Sequence, residues 1–361
     1  MPERQSSLTR DLVVIGASAG GVGALRAIVS QLPPRFPAAV LVVLHTGPYP
    51  SRLAQVLDAV GPNPARMAAD GDRAKPGLIL TAAADHHLLI RDGAVQLTRG
   101  AREHHTRPAI DPLFRSAALW GGPRVIGVLL SGRNDDGTAG LQAIKWCGGL
   151  AVVQDPDDAE EPVMPRSAVE HVRVDHCVPL ARIAPLLVEL AATRAPSDPE
   201  PPDALVREHR VSLGSDDPVG DLDSVGRTTP LTCPDCGGAL FELDGVKPQR
   251  WRCHTGHAFT LRSLEQAQLE ATDFALWAAM RSLNERIQLL RRIAEVDRQA
   301  QDDEHADRSE AEADRLAAHV QALRRLVDRA QDAPPALPSA GAQHAGQSQS
   351  DREAGIDARE A

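Results

Sequence analysis

Between Asp11 and about Ala192 the apolar positions fall in short unbroken runs: Leu12-Val-Val-Ile-Gly16, Ala39-Val-Leu-Val-Val-Leu-His45, Arg124-Val-Ile-Gly-Val-Leu-Leu130 and Leu150-Ala-Val-Val-Gln154. Such β-branched runs, without polar alternation, suit strands of a parallel sheet buried on both faces. Segments 23–31 and 51–60 carry apolar residues at helical spacing and supply covering helices. The expected fold is therefore α/β, a doubly wound and mostly parallel sheet with helices on both faces. Three shorter runs follow at 78–81, 87–91 and 94–98, the last two separated by Asp92-Gly93, a hairpin signal. They predict a small antiparallel excursion.

The pattern changes after Arg194. Residues 195–230 are rich in Pro, Asp, Glu and Ser, which predicts a linker. Three of the five cysteines then crowd into 231–260, the span of a small zinc-ribbon-like module. Over 261–331, Trp277, Met280, Leu283, Ile287, Leu290 and Ala294 form one helical stripe and Leu316, Val320, Leu323 and Val327 a second, which together predict a helical hairpin. Residues 1–10 and 332–361 lack periodicity and are expected to be disordered, leaving 11–194 as the α/β domain.

Composition narrows the function classes. With 49 Asp+Glu against 39 Lys+Arg, the net charge of −10 disfavours a phosphate-backbone partner, so nucleic acid is not expected. No apolar stretch reaches the roughly 20 residues of a bilayer span, and residues 1–10 lack a signal-peptide core. The expectation is a cytoplasmic protein without direct membrane insertion. Cys147 and Cys177 stand apart from the Cys233, Cys236 and Cys253 group, a distribution that fits metal binding better than a disulfide framework.

The first strand runs into Gly16-Ala-Ser-Ala-Gly20-Gly21, a turn that aims backbone N–H groups at whatever lies above it. Three readings compete. A dinucleotide fingerprint, and with it an oxidoreductase, wants glycine where Ser18 stands and an acidic residue about 20 positions on, whereas the second strand ends at His45. A G-x-S-x-G nucleophile turn would present the Ser18 hydroxyl, and a bland strand-to-helix turn would use Ser18 as a helix cap. Potential partners favour the nucleophile. In a doubly wound sheet His45 emerges at the same carboxyl edge as Ser18, and the strand ending at Leu130 leads to Asp135 and Asp136, either of which could orient an imidazole. The chain order Ser, His, Asp differs from that of the α/β-hydrolases.

Five ordered blocks resemble the CheB-type chemotaxis protein-glutamate methylesterase family: Gly16-Ala-Ser-Ala-Gly-Gly21, Val42-Val-Leu-His45, Arg107-Pro-Ala-Ile-Asp-Pro-Leu-Phe-Arg-Ser116, Leu129-Leu-Ser-Gly-Arg-Asn-Asp-Asp-Gly137 and Met164-Pro-Arg-Ser-Ala168. The resemblance implies Ser18 as nucleophile, His45 as base and Asp136 rather than Asp135 as the orienting acid. It implies a serine-type carboxylic ester hydrolase that cleaves glutamyl γ-methyl esters on chemoreceptor-like proteins, releases methanol, extends in some members to glutamine deamidation and needs no cofactor for catalysis. Departures occur at Leu44 and Thr46, where Gln and Met are usual, at Ala19, where Ser or Thr is usual, and at Arg133, where Met is usual. The backbone N–H groups of Ala19 and Arg133 remain oxyanion-hole candidates, because main-chain donors survive side-chain exchange. The best-known members also carry an N-terminal receiver domain; with the catalytic pattern starting at about Asp11, control by aspartyl phosphorylation in cis is not expected.

Cys233-Pro-Asp-Cys236 followed by Cys253-His-Thr-Gly-His257 offers C-x2-C and C-x3-H, four ligands for a structural zinc, with His254 as a competing ligand and a small thiol-lined core as the plain alternative. This pattern also resembles the C-terminal extension that accompanies some stand-alone methylesterases. Expected partners are methylated chemoreceptor-like proteins and other chemosensory signalling proteins. The alternative to an enzyme is a non-catalytic scaffold or regulatory protein of a signalling array.

Overall fold

A computed structural model describes residues 9–46, 51–196 and 199–331. Along the catalytic region the elements are β1 (Leu12–Ala17), α1 (Gly21–Gln31), β2 (Ala39–Leu44), α2 (Leu53–Val60), β3 (Ala65–Met67), β4 (Ile79–Thr81), β5 (His87–Arg91), β6 (Ala94–Thr98), α3 (Ile110–Gly121), β7 (Val125–Leu129), α4 (Thr138–Trp146), β8 (Leu150–Gln154), α5 (Val163–His171), β9 (His176–Val178) and α6 (Leu180–Ala191). Seven strands form one sheet in the order β3-β4-β2-β1-β7-β8-β9, and every pairing in it is parallel.

Alternation along β1 explains why the sheet needs helices on both sides. Leu12 and Val14 join one core with Phe114 of α3 and Leu141 of α4. Val13 and Ile15 join a second with Leu25 and Ile28 of α1 and Ile183 and Leu187 of α6. All six β1 residues are buried, as a doubly covered central strand requires.

Several expectations need correction. The 78–98 stretch is not a single antiparallel unit: β4 joins the main sheet in parallel, because Ile79 and Leu80 are buried in it beside Val40 and Leu41, and only β5 and β6 form the hairpin. The 195–230 stretch is not a linker throughout. It carries α7 (Asp203–Ser212) and α8 (Pro218–Asp223), since Leu205 and Val211 bury apolar side chains and Glu208 is held by buried arginines. The following sheet also starts earlier than residue 231, with β10 (Gly226–Thr232), β11 (Ala239–Leu243), β12 (Arg250–Cys253) and β13 (Ala258–Thr260) in that order. Of the ten N-terminal residues, Thr9 bridges to Arg194 and Arg10 donates to the Pro123 carbonyl; residues 1–8 and 332–361 lie outside the described residues.

The chain divides into two compact units at 271/272. The first holds the parallel sheet and the β10–β13 module. The second contains most of α9 (Leu261–Gln299) and α10 (Asp303–Gln331), a helical hairpin whose core is Met280 and Ile287 against Ala313, Leu316, Val320 and Val327. Trp277, expected in that stripe, is half exposed. Among the described residues no helix is long and apolar enough to cross a membrane.

Candidate active site

The neighbouring strands β2, β1 and β7 end together. Ser18 N–H donates to the Ser131 carbonyl at 2.9 Å, His45 N–H to the Ala17 carbonyl at 3.1 Å and Leu130 N–H to the Gly16 carbonyl at 2.9 Å. These bonds set the loops after the three strands side by side at the sheet's carboxyl edge. Ser18 is not a helix cap: Gly20, at φ 76°, occupies the N-cap of α1, with no side-chain capping bond. Its hydroxyl is therefore left to face His45.

Ser18 Oγ lies 3.2 Å from His45 Nδ1, and His45 Nε2 lies 2.7 Å from Asp136 Oδ2. With Asp136 ionised, Nε2–H donates to the carboxylate and Nδ1 is the acceptor for the serine proton. Asp136 is fully buried, and its oxygens are filled by design of the backbone: Oδ2 accepts the Ile110 N–H at 2.7 Å and Oδ1 the Asp111 N–H at 3.0 Å. Those are the first N–H groups of α3, an electropositive helix end suited to an anion. Burial alone would raise the Asp136 carboxyl, but the charge of His104 and the bond from His45 hold it well below its usual range.

Asp135 has a different partner. Its Oδ1 accepts the Thr260 hydroxyl at 2.7 Å, so of the two acids only Asp136 reaches His45. Between them and α4 comes Gly137 at φ 89°, where an added Cβ would stand 2.4 Å from Leu129 Cδ1. Gly132 is equally constrained, because its Cβ would meet Ser18 Cβ at 2.8 Å and Met164 Cε at 2.6 Å. The N–H groups of Ala19 and Arg133 donate to no acceptor among the described residues. The Arg133 guanidinium turns outward to Glu161.

Sequence reasoning did not identify Asp111 and His104. Asp111 Oδ1 accepts the N–H groups of Gly137 and Gly140, at 3.0 and 2.6 Å, which fixes the Asp136 loop and the start of α4 onto α3; Oδ2 lies 2.8 Å from His104 Nε2. An acid at the second position of a helix is ordinary, and the His104-His105 pair in the connection between β6 and α3 carries no ligand spacing, so neither stands out before the chain is folded.

The Cys233, Cys236, Cys253 and His257 donor atoms all lie within 4.8 Å of one another. Cys236 Sγ is 3.7 Å from Cys253 Sγ, and Cys253 Sγ is 3.5 Å from His257 Nδ1. A zinc tetrahedron with usual bond lengths has S···S edges of about 3.8 Å and S···N edges of about 3.5 Å, so the donors fit that ion. Asp235 Oδ2, buried and without a hydrogen bond among the described residues, faces His257 Nε2 at 3.8 Å, the place of a carboxylate that orients a metal-bound imidazole. His254 is exposed and outside this group.

A model of the CheB methylesterase family matches residues 13–187. A Leptospira interrogans protein, provisionally assigned as a protein-glutamate methylesterase/protein-glutamine glutaminase, is 38% identical over 182 residues, half of this chain and 94% of that one. The protein-glutamate methylesterase/protein-glutamine glutaminase of Moorella thermoacetica is 40% identical over 200 residues, 53% of this chain and 46% of that longer one. The solved structure of the Thermotoga maritima CheB methylesterase catalytic domain is 34% identical, with a TM-score of 0.48 over half of this chain and 98% of that domain.

Proposed function

The chain belongs to the CheB methylesterase family, and we propose that it is a cytoplasmic serine hydrolase that cleaves glutamyl γ-methyl esters on methylated chemoreceptor-like proteins. The observation that carries this reading is the continuous Ser18–His45–Asp136 chain of contacts, 3.2 and 2.7 Å long, ending in a buried carboxylate. Ser18 Oγ attacks the ester carbonyl while His45 Nδ1 takes its proton. Asp136 stabilises the imidazolium and holds the tautomer that leaves Nδ1 free. The N–H groups of Ala19 and Arg133 are the donors for the tetrahedral oxyanion. The intermediate collapses as His45 returns the proton to the departing methoxide oxygen, giving methanol and an acyl-Ser18. Water activated by His45 then releases the glutamate and restores the serine. A glutamine side chain would follow the same path with ammonia leaving.

The reading extends to a structural zinc held by Cys233, Cys236, Cys253 and His257, supported by the tetrahedral spacing of the donors. Such an ion would tie the Cys233–Cys236 knuckle to the turn between β12 and β13. It supplies no step of the ester chemistry.

Methanol release from methylated receptor membranes by the purified chain tests the activity. Labelling of Ser18 by a fluorophosphonate distinguishes a working nucleophile from the silent site of a scaffold protein.

A further inference from the structure

Asp136 shares its compartment with two other acids and one base. Asp111, Asp135, Asp136 and His104 are all at least nine-tenths buried. His104 Nε2 lies 2.8 Å from Asp111 Oδ2 and 3.5 Å from Asp136 Oδ1, while Nδ1 lies 3.9 Å from Asp135 Oδ1 and 3.4 Å from Ser263 Oγ. Nε2 faces carboxylates, and Nδ1 faces a hydroxyl able to accept with a third carboxylate behind it, so the surroundings favour an imidazolium that donates from both nitrogens. Burial opposes that charge, but Asp136, Asp111 and Asp135 outweigh it and raise His104 to about 10. The His104 charge and the bond from His45 together hold Asp136 ionised against its burial. The other titratable groups nearby are Glu103, already paired with Arg115 and Arg252, His87, which burial pushes down, and His45 on the far side of Asp136.

What holds His104 there is the C-terminal module. His104 has φ 52°, a left-handed conformation that a side-chain-bearing residue keeps only when its surroundings impose it. Its N–H donates to the Ala258 carbonyl at 2.8 Å, and Ala258 N–H donates to the Arg102 carbonyl at 3.3 Å, so Glu103 makes a parallel bridge to Ala258 at the start of β13. Ala258 directly follows His257, and Cys253 N–H bonds to the His257 carbonyl at 3.0 Å across the β12–β13 turn. Two of the four cluster residues thus bracket the turn that presents Ala258 to His104. At the end of β13 Thr260 reaches Asp135, and Ser263, at the start of α9, reaches the His104 ring.

We propose that His104 is a positioning residue for Asp136, seated by the C-terminal module, so that zinc at the cysteine–histidine cluster and the charge balance of the triad are coupled through β13. The inference rests on the triad reading above and deepens it by making the module a working part of the active site. Loss of the ion loosens the β12–β13 turn, frees His104 and leaves the carboxylates beside His45 uncompensated. The imidazolium form of His45 is then favoured, and more alkaline solution is needed to free the base.

The test uses the full chain and reads zinc content, thiol accessibility and the pH profile of kcat/KM for methanol release. Wild type is expected to hold one zinc per chain. His104→Gln keeps the zinc and moves the acid limb up by about one pH unit, a tenfold loss of rate on that limb. A Thr260→Val/Ser263→Ala double variant, which leaves the triad untouched, moves the limb the same way and decides the matter if His104→Gln fails to fold. Stripping zinc from wild type exposes the three thiols and moves the limb up, re-addition of Zn2+ reverses both, and the same treatment of His104→Gln exposes the thiols without a further shift. An acid limb unmoved in both sets of variants, or a chain that binds no zinc, overturns the proposal. Methanol release surviving in Ser18→Ala instead sinks the triad reading itself, whatever the His104 variants do.

Discussion

Replacing Asp136 by Asn changes one charge in a site whose other contacts can persist in part. With its oxygen in the Oδ1 place the amide still accepts the Asp111 N–H at 3.0 Å, while its NH2 takes the place of Oδ2, so the Ile110 N–H loses its acceptor and the start of α3 keeps one of its two caps. The contact to His45 cannot persist in the same sense. At 2.7 Å from Nε2 an amide NH2 group presents a donor, which drives the imidazole to the tautomer with its proton on Nδ1, facing Ser18. The serine then has no acceptor for its proton, and an imidazolium formed in the transition state has no counter-charge. A change of this kind in a Ser-His-Asp triad lowers kcat by about 10³–10⁴, a loss of about 4–5 kcal/mol in transition-state stabilisation. The assay is methanol release at saturating substrate, with circular dichroism to establish that the fold is kept. Asp135→Asn is the control, since Asp135 binds Thr260 and does not touch His45; its kcat should stay within a few-fold of wild type. A folded Asp136→Asn chain that loses less than about tenfold would refute the assignment of Asp136 as the orienting acid.

Three further outcomes follow from the packing. Arg252, wholly buried, serves Glu103 at 3.2 Å and Glu208 at 3.0 Å, so Arg252→Met should cost about 3 kcal/mol or more in urea unfolding by leaving both carboxylates short of a cation; a neutral change would show that Arg115 and Arg250 suffice. Gly137→Ala combines a left-handed backbone with a Cβ 2.4 Å from Leu129 and should destabilise by about 3 kcal/mol, whereas a shift within about 0.5 kcal/mol would contradict the geometry. Asp136 and Glu208, both depressed to about 2 from 3.8 and 4.5, add stability that is present above those ordinary values and lost as pH falls towards 2. His104, raised to about 10, adds stability complete below 6.5 and lost as pH rises through 10, while His209, pushed down to about 3 by burial, adds stability that grows as pH rises to 6.5, so the urea midpoint should be highest near pH 6.5 and fall on both sides; a midpoint still rising from pH 7 to 10 would contradict the charged His104.

The parts of the fold that were legible in the sequence are those where one residue's neighbours along the chain decide its environment. β1, β2, β7 and β8 announce themselves because unbroken Val, Ile and Leu runs have no other soluble use, and their ends then locate Ser18, His45 and the acidic pair at one edge. β4 was misassigned because three residues, Ile79–Thr81, are too few to show which strand they pair with. Segment 195–230 reads as linker because its prolines precede α7, while the reason for α7 lies about 40 residues on: Glu208 is buried against Arg250 and Arg252. The choice between Asp135 and Asp136 was open to residue chemistry and came only from family resemblance, since both are acids in one turn and differ in which partner the fold brings, Thr260 or His45. His104 and Asp111 were invisible for the same reason.

The most direct measurement is methanol release from methylated chemoreceptor membranes by the purified chain beside Ser18→Ala, with fluorophosphonate labelling of both. The account predicts release and labelling by wild type and neither by Ser18→Ala, with the rate down by at least about 10³. Equal release by the two chains, or labelling at a residue other than Ser18, would contradict it.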